Sequence, residues 1–308
     1  MKRIVLAALV LFAVAAWAQS QQAPPAAETQ TSMMAKPLQS EGALTYSDLY
    51  CAGFITKETV SKTNLIAGGI YSPEQTQFTR GGVVFVSGGG LQEGAEYSVL
   101  RELHDPDRYE PFVGAFAAVA SVGQPYAELG RLKVVALRGP SAVAEVEFSC
   151  QNMTLGDIVV PYKEHVPVSL RGPMAFERFP ANSGHLTARI VMAREFDAEV
   201  GMGQKVYLNA GTNKGVKVGD YFRVVRGYDP AKLNAIDALS NKAPIGEDTQ
   251  KVPGQMTPEM AKNLPTRALG EMIVINVTQS SATAMITRSL EDIEVGDYVQ
   301  MEDEQPPQ

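Results

Sequence analysis

The apolar positions of this chain fall into short runs that are rich in valine, isoleucine, tyrosine and phenylalanine. Glycine, aspartate, asparagine and proline separate these runs, a pattern typical of β-strands joined by tight turns. Leu132, Val134 and Ala136 show the spacing of two that lines one face of a sheet, and the same spacing recurs at 272–276. The neighbouring positions are also often apolar, which favours strands covered on both faces. The pattern predicts an all-β fold.

An internal duplication organises these strands. Residues 129–159 align with residues 269–299 without a gap, at a constant offset of 140. Upstream, residues 94–101 align with 219–226 at an offset of 125, so the second copy carries 15 more residues in its middle loop. Short strands with Gly-rich turns, repeated in this way, predict two tandem, duplicated small β-barrel or sandwich domains. A one-residue slip would turn each buried strand face to water, so we expect both copies to share one pairing register.

Glycine and aspartate mark the predicted turns, because glycine accepts a positive φ and aspartate bonds nearby backbone amides. The residues that we assign to these structural turns are Gly130, Gly156, Asp157, Gly219, Asp220, Gly270, Gly296 and Asp297. Between the turns, alanines recur at matched positions in both copies. We expect them to face a closely packed interior, and they are Ala142, Ala144, Ala282 and Ala284.

The predicted boundaries follow from changes in composition. Residues 1–18 have a basic start, an apolar run and small residues before Gln19, which predicts a secretory signal peptide cleaved after Ala18. The run is short for a membrane span, so a soluble, periplasmic or secreted mature protein is expected. Polar, Pro-rich composition predicts a disordered leader at 19–42 and a disordered tail at 302–308. The two β-domains are then 43–162 and 184–301, joined by a Pro-rich linker at 163–183.

Composition narrows the possible functions of the 308 residues. A net charge of −7 argues against nucleic-acid binding, which needs clustered lysine and arginine. Two cysteines and three histidines leave little material for a metal site, and His104, His165 and His185 are expected to be ordinary surface residues. The chain has neither a Gly-x-Ser-x-Gly elbow nor a Ser-x-x-Lys motif. We therefore assign no catalytic residue, no metal and no cofactor.

Cys51 and Cys150 carry the strongest chemical signal. An exported chain meets an oxidising environment, which favours a disulfide between them over two buried thiols. Alignment of Ile55 with Ile190 would place Cys51 at the start of the first strand of copy one. Closing a loop of this length corresponds to about 4–5 kcal/mol in the chain-entropy model.

The two long insertions, at 104–128 and 227–267, are the candidate functional segments, because loops on a β-scaffold carry recognition. In the first, Tyr109, Phe112 and Phe116 are unusually apolar for an exposed loop. They suit either a partner contact or packing on the neighbouring domain. In the second, the sequence 257–260 has an N-cap threonine followed by proline, which predicts one short helix.

The order of turn residues in the second copy resembles that of the β-rich regions that follow the LysM module in some bacterial envelope proteins. It also resembles the small C-terminal domain of the flagellar assembly protein T family. The pattern is carried by Gly211, Gly215, Val216, Gly219, Asp220, Leu269, Gly270, Ser281, Ala284, Gly296, Asp297 and Val299. The resemblance implies a periplasmic, non-catalytic envelope protein.

Two functions remain open from the sequence. The first is a non-catalytic cell-envelope scaffold or adaptor whose long loops bind another envelope protein, peptidoglycan or another glycan. The second is a periplasmic hydrolase, of which a glycosidase-like pair of acids in a cleft between the domains is the simplest form. An apolar patch built by the first insertion would favour the adaptor.

Overall fold

The computed structural model describes residues 44–172, 175–227, 259–260 and 263–302. The α-helices whose bounds lie within these ranges are α1 (Tyr46–Tyr50) and α2 (Ala115–Val122), and a 3-10 helix spans Thr212–Lys214. The strands up to Pro161 are β1 (Phe54–Thr56), β2 (Leu65–Gly69), β3 (Gln77–Phe78), β4 (Val83–Ser87), β5 (Glu96–Glu102), β6 (Gln124–Arg138), β7 (Ser141–Ser149), β8 (Met153–Thr154) and β9 (Ile158–Pro161). The later strands are β10 (Thr187–Ala193), β11 (Glu199–Val200), β12 (Lys205–Leu208), β13 (Tyr221–Arg226), β14 (Arg267–Val277), β15 (Ala282–Ser289), β16 (Ile293–Glu294) and β17 (Tyr298–Met301).

The described strands form two closed barrels of the same topology. In barrel one the order is β6-β5-β9-β2-β4-β7, closed by the pairing of β7 with β6. In barrel two the order is β14-β13-β17-β10-β12-β15, closed by the pairing of β15 with β14. A two-stranded ribbon accompanies each barrel, β3 with β8 and β11 with β16. The predicted all-β fold with two tandem barrels is confirmed.

The strand register repeats residue by residue between the barrels. Val99 pairs with Gly130 in barrel one, and Val224 pairs with Gly270 in barrel two. In both cases the register shifts immediately afterwards, at the same β-bulge. The pairing of β6 with β7 is reproduced by that of β14 with β15, including two bulges. The duplication therefore fixes pairing and curvature as well as strand order.

Each barrel encloses its own apolar core. The predicted interior alanines are all buried, with exposed fractions of 1% for Ala142 and 0% for Ala144, Ala282 and Ala284. Large side chains fill the remaining space, among them Leu132 in barrel one and Met272 in barrel two, each fully buried. Inward and outward positions alternate along each strand, so every second side chain points into the core.

Gly130 and Gly270 lie inside long strands, not in turns as the sequence analysis assigned them. A Cβ at Gly130 would overlap the carbonyl oxygen of Phe148, and one at Gly270 would overlap that of Arg288. The absence of a side chain at both positions permits the close approach of two backbones where each barrel bends. By contrast, Gly156, Gly219 and Gly296 do occupy turns, with φ of 87°, 95° and 111°.

The segment 44–56 precedes barrel one and is not part of the repeat. Cys51 follows helix α1, so its assignment to the first strand of copy one is wrong. Ile190 pairs with Leu208 as Ile66 pairs with Val86, which makes Ile66 its counterpart and not Ile55. This segment occurs once in the chain, so no second copy was present with which to align it. We call residues 44–56 the N-terminal segment.

The N-terminal segment joins the two barrels. Its strand β1 pairs with the start of β6 in barrel one. Its backbone carbonyls accept hydrogen bonds from hydroxyl groups of barrel two: Tyr207 donates to Ala52 at 3.0 Å, and Thr283 donates to Gly53 at 2.9 Å. Burial raises the pKa of the Tyr207 hydroxyl, which is fully enclosed in this interface. Ile55 completes an apolar cluster there.

The Pro-rich linker also packs on barrel two. Val168 is buried in a cluster with Leu49 and Ile273. Further along, the Arg171 guanidinium forms ion pairs with Glu271 and Glu302. This segment therefore covers the outer face of β14. The apolar residues on that face are among those from which the sequence predicted strands covered on both faces.

Several predicted segments lie outside the described residues: the signal peptide at 1–18, most of the disordered tail at 302–308, the leader at 19–42, and most of the second insertion. Glu259 and Met260 are helical and exposed, and the rest of the predicted 257–260 helix is among the residues not described. Across the described part of the chain, none of the helices has the length and apolar character needed to span a membrane.

Candidate functional site: an inter-barrel cleft

The first insertion folds into helix α2, where the sequence had predicted an apolar loop. The segment is rich in alanine, the strongest helix former, and has glycine at both ends. Gly114 takes a left-handed conformation with φ 85°, and its N–H donates a hydrogen bond to Glu110 Oε1 at 2.9 Å. Gly123 ends the helix with φ 129°, and its N–H donates to the Val119 carbonyl oxygen at 3.1 Å. The alanine run between two glycines is the feature of the sequence from which this helix could have been predicted.

Helix α2 is fixed against barrel two at its C-terminal end. Ser280 donates a hydrogen bond to the Val122 carbonyl oxygen at 2.6 Å. Val122 is buried with Val191 and Met192 of β10. Because a free helix end leaves carbonyls unsatisfied, this contact both caps the helix and sets its position on the second barrel.

A cleft of about 730 Å³ opens beside this contact. One wall comes from the first insertion and the start of β6, and the other from β10, the β10–β11 loop and Val295. This volume is within the range of pockets that hold small molecules or the side chains of a bound peptide. Its apolar lining residues are Leu103, Tyr109, Pro111, Ala115, Phe116, Val119, Ala120, Pro125, Val191, Met192, Ala193, Phe196 and Val295. We call it the inter-barrel cleft.

The three aromatic residues proposed for partner contact have different environments. Tyr109 and Phe116 line the inter-barrel cleft and are 61% and 48% exposed. Phe112 instead packs on barrel two, where its ring lies over Gly296 and 3.8 Å from the Arg189 guanidinium carbon. The structure thus gives Phe112 the alternative role of packing on the neighbouring domain, and leaves Tyr109 and Phe116 available to a ligand.

Of the described residues that line the cleft, Arg108 and Phe196 are non-glycine residues with left-handed backbone conformations, at φ 51° and 64°. Such conformations cost about 1–3 kcal/mol and persist where surrounding contacts impose them. Asp105 supports the first by accepting the backbone N–H groups of Asp107 and Arg108 at 2.9 and 3.1 Å. The backbone N–H of Phe196 stabilises its own turn by donating a hydrogen bond to the Ala193 carbonyl oxygen. Both walls of the cleft are therefore shaped by constrained loops.

The carboxylates among the described residues that line the cleft are those of Asp105 and Asp197. Asp105 is engaged by the backbone of its own loop, and Asp197 accepts a hydrogen bond from the Gln204 amide at 3.0 Å. Neither residue is buried. A general acid of a glycosidase needs a carboxyl group held in apolar surroundings, which this arrangement does not supply.

Among the described residues, no group of three or more histidine, cysteine, aspartate or glutamate side chains is placed to hold a metal ion. The exposed His104 borders the cleft and His185 is exposed elsewhere. His165 is not the surface residue that was expected: its Nε2 lies 3.1 Å from Glu128 Oε1, and its side chain is only 12% exposed. It belongs to the interface between the linker and barrel one.

The predicted disulfide between Cys51 and Cys150 is confirmed. It attaches the end of α1 to the end of β7 and so fixes the N-terminal segment to barrel one. Tyr50, beside it, accepts hydrogen bonds from the Tyr162 hydroxyl at 2.8 Å and from the His165 amide at 3.0 Å. Burial raises the pKa of Tyr50 to about 12. The hydroxyl therefore stays protonated at neutral pH.

Comparison of the sequence with protein-family models and with curated proteins gave no match. The inter-barrel cleft is accordingly interpreted from its own geometry: an apolar, aromatic-lined recess whose acids are engaged in local hydrogen bonds.

Proposed function

We propose that this chain is an exported, non-catalytic adaptor of the cell envelope that binds an apolar segment of a protein partner in the inter-barrel cleft. The observation that carries the proposal is the cleft itself, an apolar recess of about 730 Å³ with Tyr109 and Phe116 exposed at its wall. Interaction sites are enriched in aromatic residues that stay partly exposed before binding. Val113, which is 97% exposed in the same loop, extends this apolar surface.

Two further features support an envelope location. The signal-like sequence at 1–18 predicts export, and the disulfide suits an oxidising compartment. The resemblance to β-rich regions of bacterial envelope proteins agrees with this location. Export is tested by mass spectrometry of the mature protein, which should begin at Gln19; a mature form that retains residues 4–16 would contradict it.

Cross-linking from the cleft tests the adaptor function. A photoreactive amino acid at position 109 or 116 should cross-link in the native envelope to one protein partner. The same group at Tyr71, an aromatic residue that is 70% exposed on barrel one, serves as the control and should not. Ala120→Asp places a charge at an exposed position of the cleft wall and should abolish the cross-link while circular dichroism and thermal unfolding stay near those of the wild type.

A glycan ligand and the hydrolase alternative give different outcomes. Sedimentation with peptidoglycan that depends on Tyr109 and Phe116, without a protein cross-link, would assign the cleft to a glycan instead. The presence of Asp105 and Asp197 in the cleft is the one observation that favours a hydrolase. Turnover of peptidoglycan that is lost in Asp105→Asn or Asp197→Asn would replace the adaptor by that enzyme.

A further inference from the structure

The outer faces of the two barrels are equivalent in register but differ in what covers them. Tyr207 and Thr283 are cross-strand partners on the outer face of barrel two, as Phe85 and Val143 are on that of barrel one. In barrel two this face is buried by the N-terminal segment, helix α2 and the linker. In barrel one, Phe85 remains 37% exposed.

The outer face of barrel one has an apolar centre that is partly exposed. Val135 is the counterpart of the buried Ile275 and is itself 44% exposed. Together with Phe85 and Val143 it forms a group of large apolar side chains on neighbouring strands. Contiguous exposed apolar surface of this kind marks an interaction site on a soluble protein. We call Ala67, Phe85, Lys133, Val135, Val143 and Glu145 the outer face of barrel one.

The side chains of this face cannot bind a covering backbone segment in the way that those of barrel two do. There, hydroxyl groups of Tyr207 and Thr283 donate to backbone carbonyls of the N-terminal segment. Phe85 and Val143 stand at the same positions and have no hydroxyl to donate. An extended backbone laid on this face would therefore leave its carbonyls unsatisfied, at a cost in stability. An apolar side-chain surface suits the face better.

The charges of the face are self-complementary. Lys133 and Glu145 are cross-strand neighbours beside the apolar centre, and within the described residues neither side chain makes an ion pair. Their counterparts in the covered barrel are the apolar Ile273 and Met285. Under a two-fold axis, a residue i contacts j while j contacts i, so Lys133 of each copy can meet Glu145 of the other.

We infer that the outer face of barrel one is a two-fold dimer interface between copies of this chain. Phe85, Val135 and Val143 form its apolar centre, and Lys133 and Glu145 form reciprocal ion pairs at its edge. The face shares no residue with the inter-barrel cleft, so a dimer would leave the proposed partner site open.

Sedimentation velocity of the mature chain over a concentration series tests this inference. The wild type should reach a dimer, and Phe85→Ser should shift it towards monomer. Lys133→Glu and Glu145→Lys each place like charges across the axis and should raise the dissociation constant about tenfold or more. The double variant Lys133→Glu, Glu145→Lys should restore the dimer.

Two controls keep the result specific. Lys217→Glu makes the same charge change at an exposed site on barrel two and should leave the dimer unchanged. Ala120→Asp, which removes the proposed partner binding, should also leave it unchanged, so failure of the adaptor proposal is distinguishable from failure of this one. A monomer at every concentration, or single charge variants that dimerise like the wild type, would overturn the inference.

Discussion

Arg101 and Asp157 form a two-point ion pair that ties β5 to the turn before β9 in barrel one. Arg101 Nε and Nη2 donate to the two carboxylate oxygens, both at 2.7 Å. Barrel two repeats the pair with Arg226 and Asp297, at 2.9 and 2.6 Å. In each copy the aspartate also accepts a backbone N–H from the preceding strand, that of Thr154 or its counterpart. The turn aspartates thus fix a neighbouring strand as well as their own loop.

Loss of either aspartate should destabilise the protein, and the loss should be larger in barrel two. Asp297→Ala removes the two-point partner of Arg226, whose side chain is only 16% exposed and keeps the ion pair with Glu294 at 3.0 Å; Arg101 is 36% exposed and can recover water contacts. We expect the free energy of unfolding to fall by about 3 kcal/mol for Asp297→Ala and about 2 kcal/mol for Asp157→Ala. Urea unfolding of each variant measures this.

Asp220 supplies the control for these variants. It occupies a third Gly-Asp turn, but among the described contacts its carboxylate accepts only the Lys217 backbone N–H, at 2.8 Å. Asp220→Ala should cost less than about 1 kcal/mol. Equal effects of all three substitutions would mean that the arginine partners add nothing to the turn.

This ion pair shows what the sequence could and could not predict. Arg101 and Arg226 stand at matched positions of one aligned block, and Asp157 and Asp297 at matched positions of the other. The repeat established strand order and register, because both copies carried the same pattern. It did not show that β5 lies beside the β8–β9 turn, which depends on closure of the barrel.

Features that occur only once in the chain escaped the sequence analysis for a physical reason. The N-terminal segment has no second copy to reveal its role, and its contacts with Tyr207 and Thr283 join residues far apart in sequence. The inter-barrel cleft depends on how α2 is placed on barrel two. The pattern of apolar and polar residues predicts the strands and turns in which it occurs. The contacts of the N-terminal segment and of the cleft form only when the two folded barrels pack together.

The strand glycines should tolerate no side chain. Gly130→Ala and Gly270→Ala each force a Cβ onto a facing backbone carbonyl, and Gly130 also has a φ of 147°. Overpacking costs about 1–3 kcal/mol, and the unfavourable φ adds to it at Gly130. We expect Gly130→Ala to lower the urea midpoint more than Gly270→Ala.

A turn glycine separates the two contributions. Gly156 has a φ of 87°, but a Cβ there would meet no atom within 4 Å. Gly156→Ala therefore reports the conformational cost alone. If its urea midpoint fell as far as that of Gly130→Ala, contact with the facing strand would not explain why glycine is required at position 130.

Removal of the disulfide should loosen the contact between the barrels as well as barrel one. The bond spans 99 residues, for which the chain-entropy model gives about 4–5 kcal/mol. Because Cys51 lies within the N-terminal segment, the double variant Cys51→Ser, Cys150→Ser should speed amide hydrogen exchange across 44–56. Thr283→Val, which keeps the disulfide and removes one hydrogen bond to Gly53, should have a smaller effect. Unchanged exchange in 44–56 would contradict this role.

Asp48 should make the attachment of the N-terminal segment dependent on pH. Burial opposes ionisation of its carboxyl group, but hydrogen bonds from Lys205 Nζ at 2.8 Å and from Thr45 outweigh it. The pKa of Asp48 is therefore lowered from its ordinary value of 3.8. Since the folded state binds this proton less readily than the unfolded chain, the stabilisation is complete above the ordinary value and is lost as pH falls through the lower folded pKa.

The test compares wild type with Asp48→Asn in urea unfolding at a series of pH values. The stability difference between them should be constant near neutral pH and should shrink as the pH falls below 3.8, where the wild-type carboxylate takes up its proton. In a Lys205→Met background the shrinkage should be smaller, because one of the bonds that lowers the pKa is gone. A difference that stays constant down to acid unfolding would show that the link between Asp48 and Lys205 does not stabilise the interface.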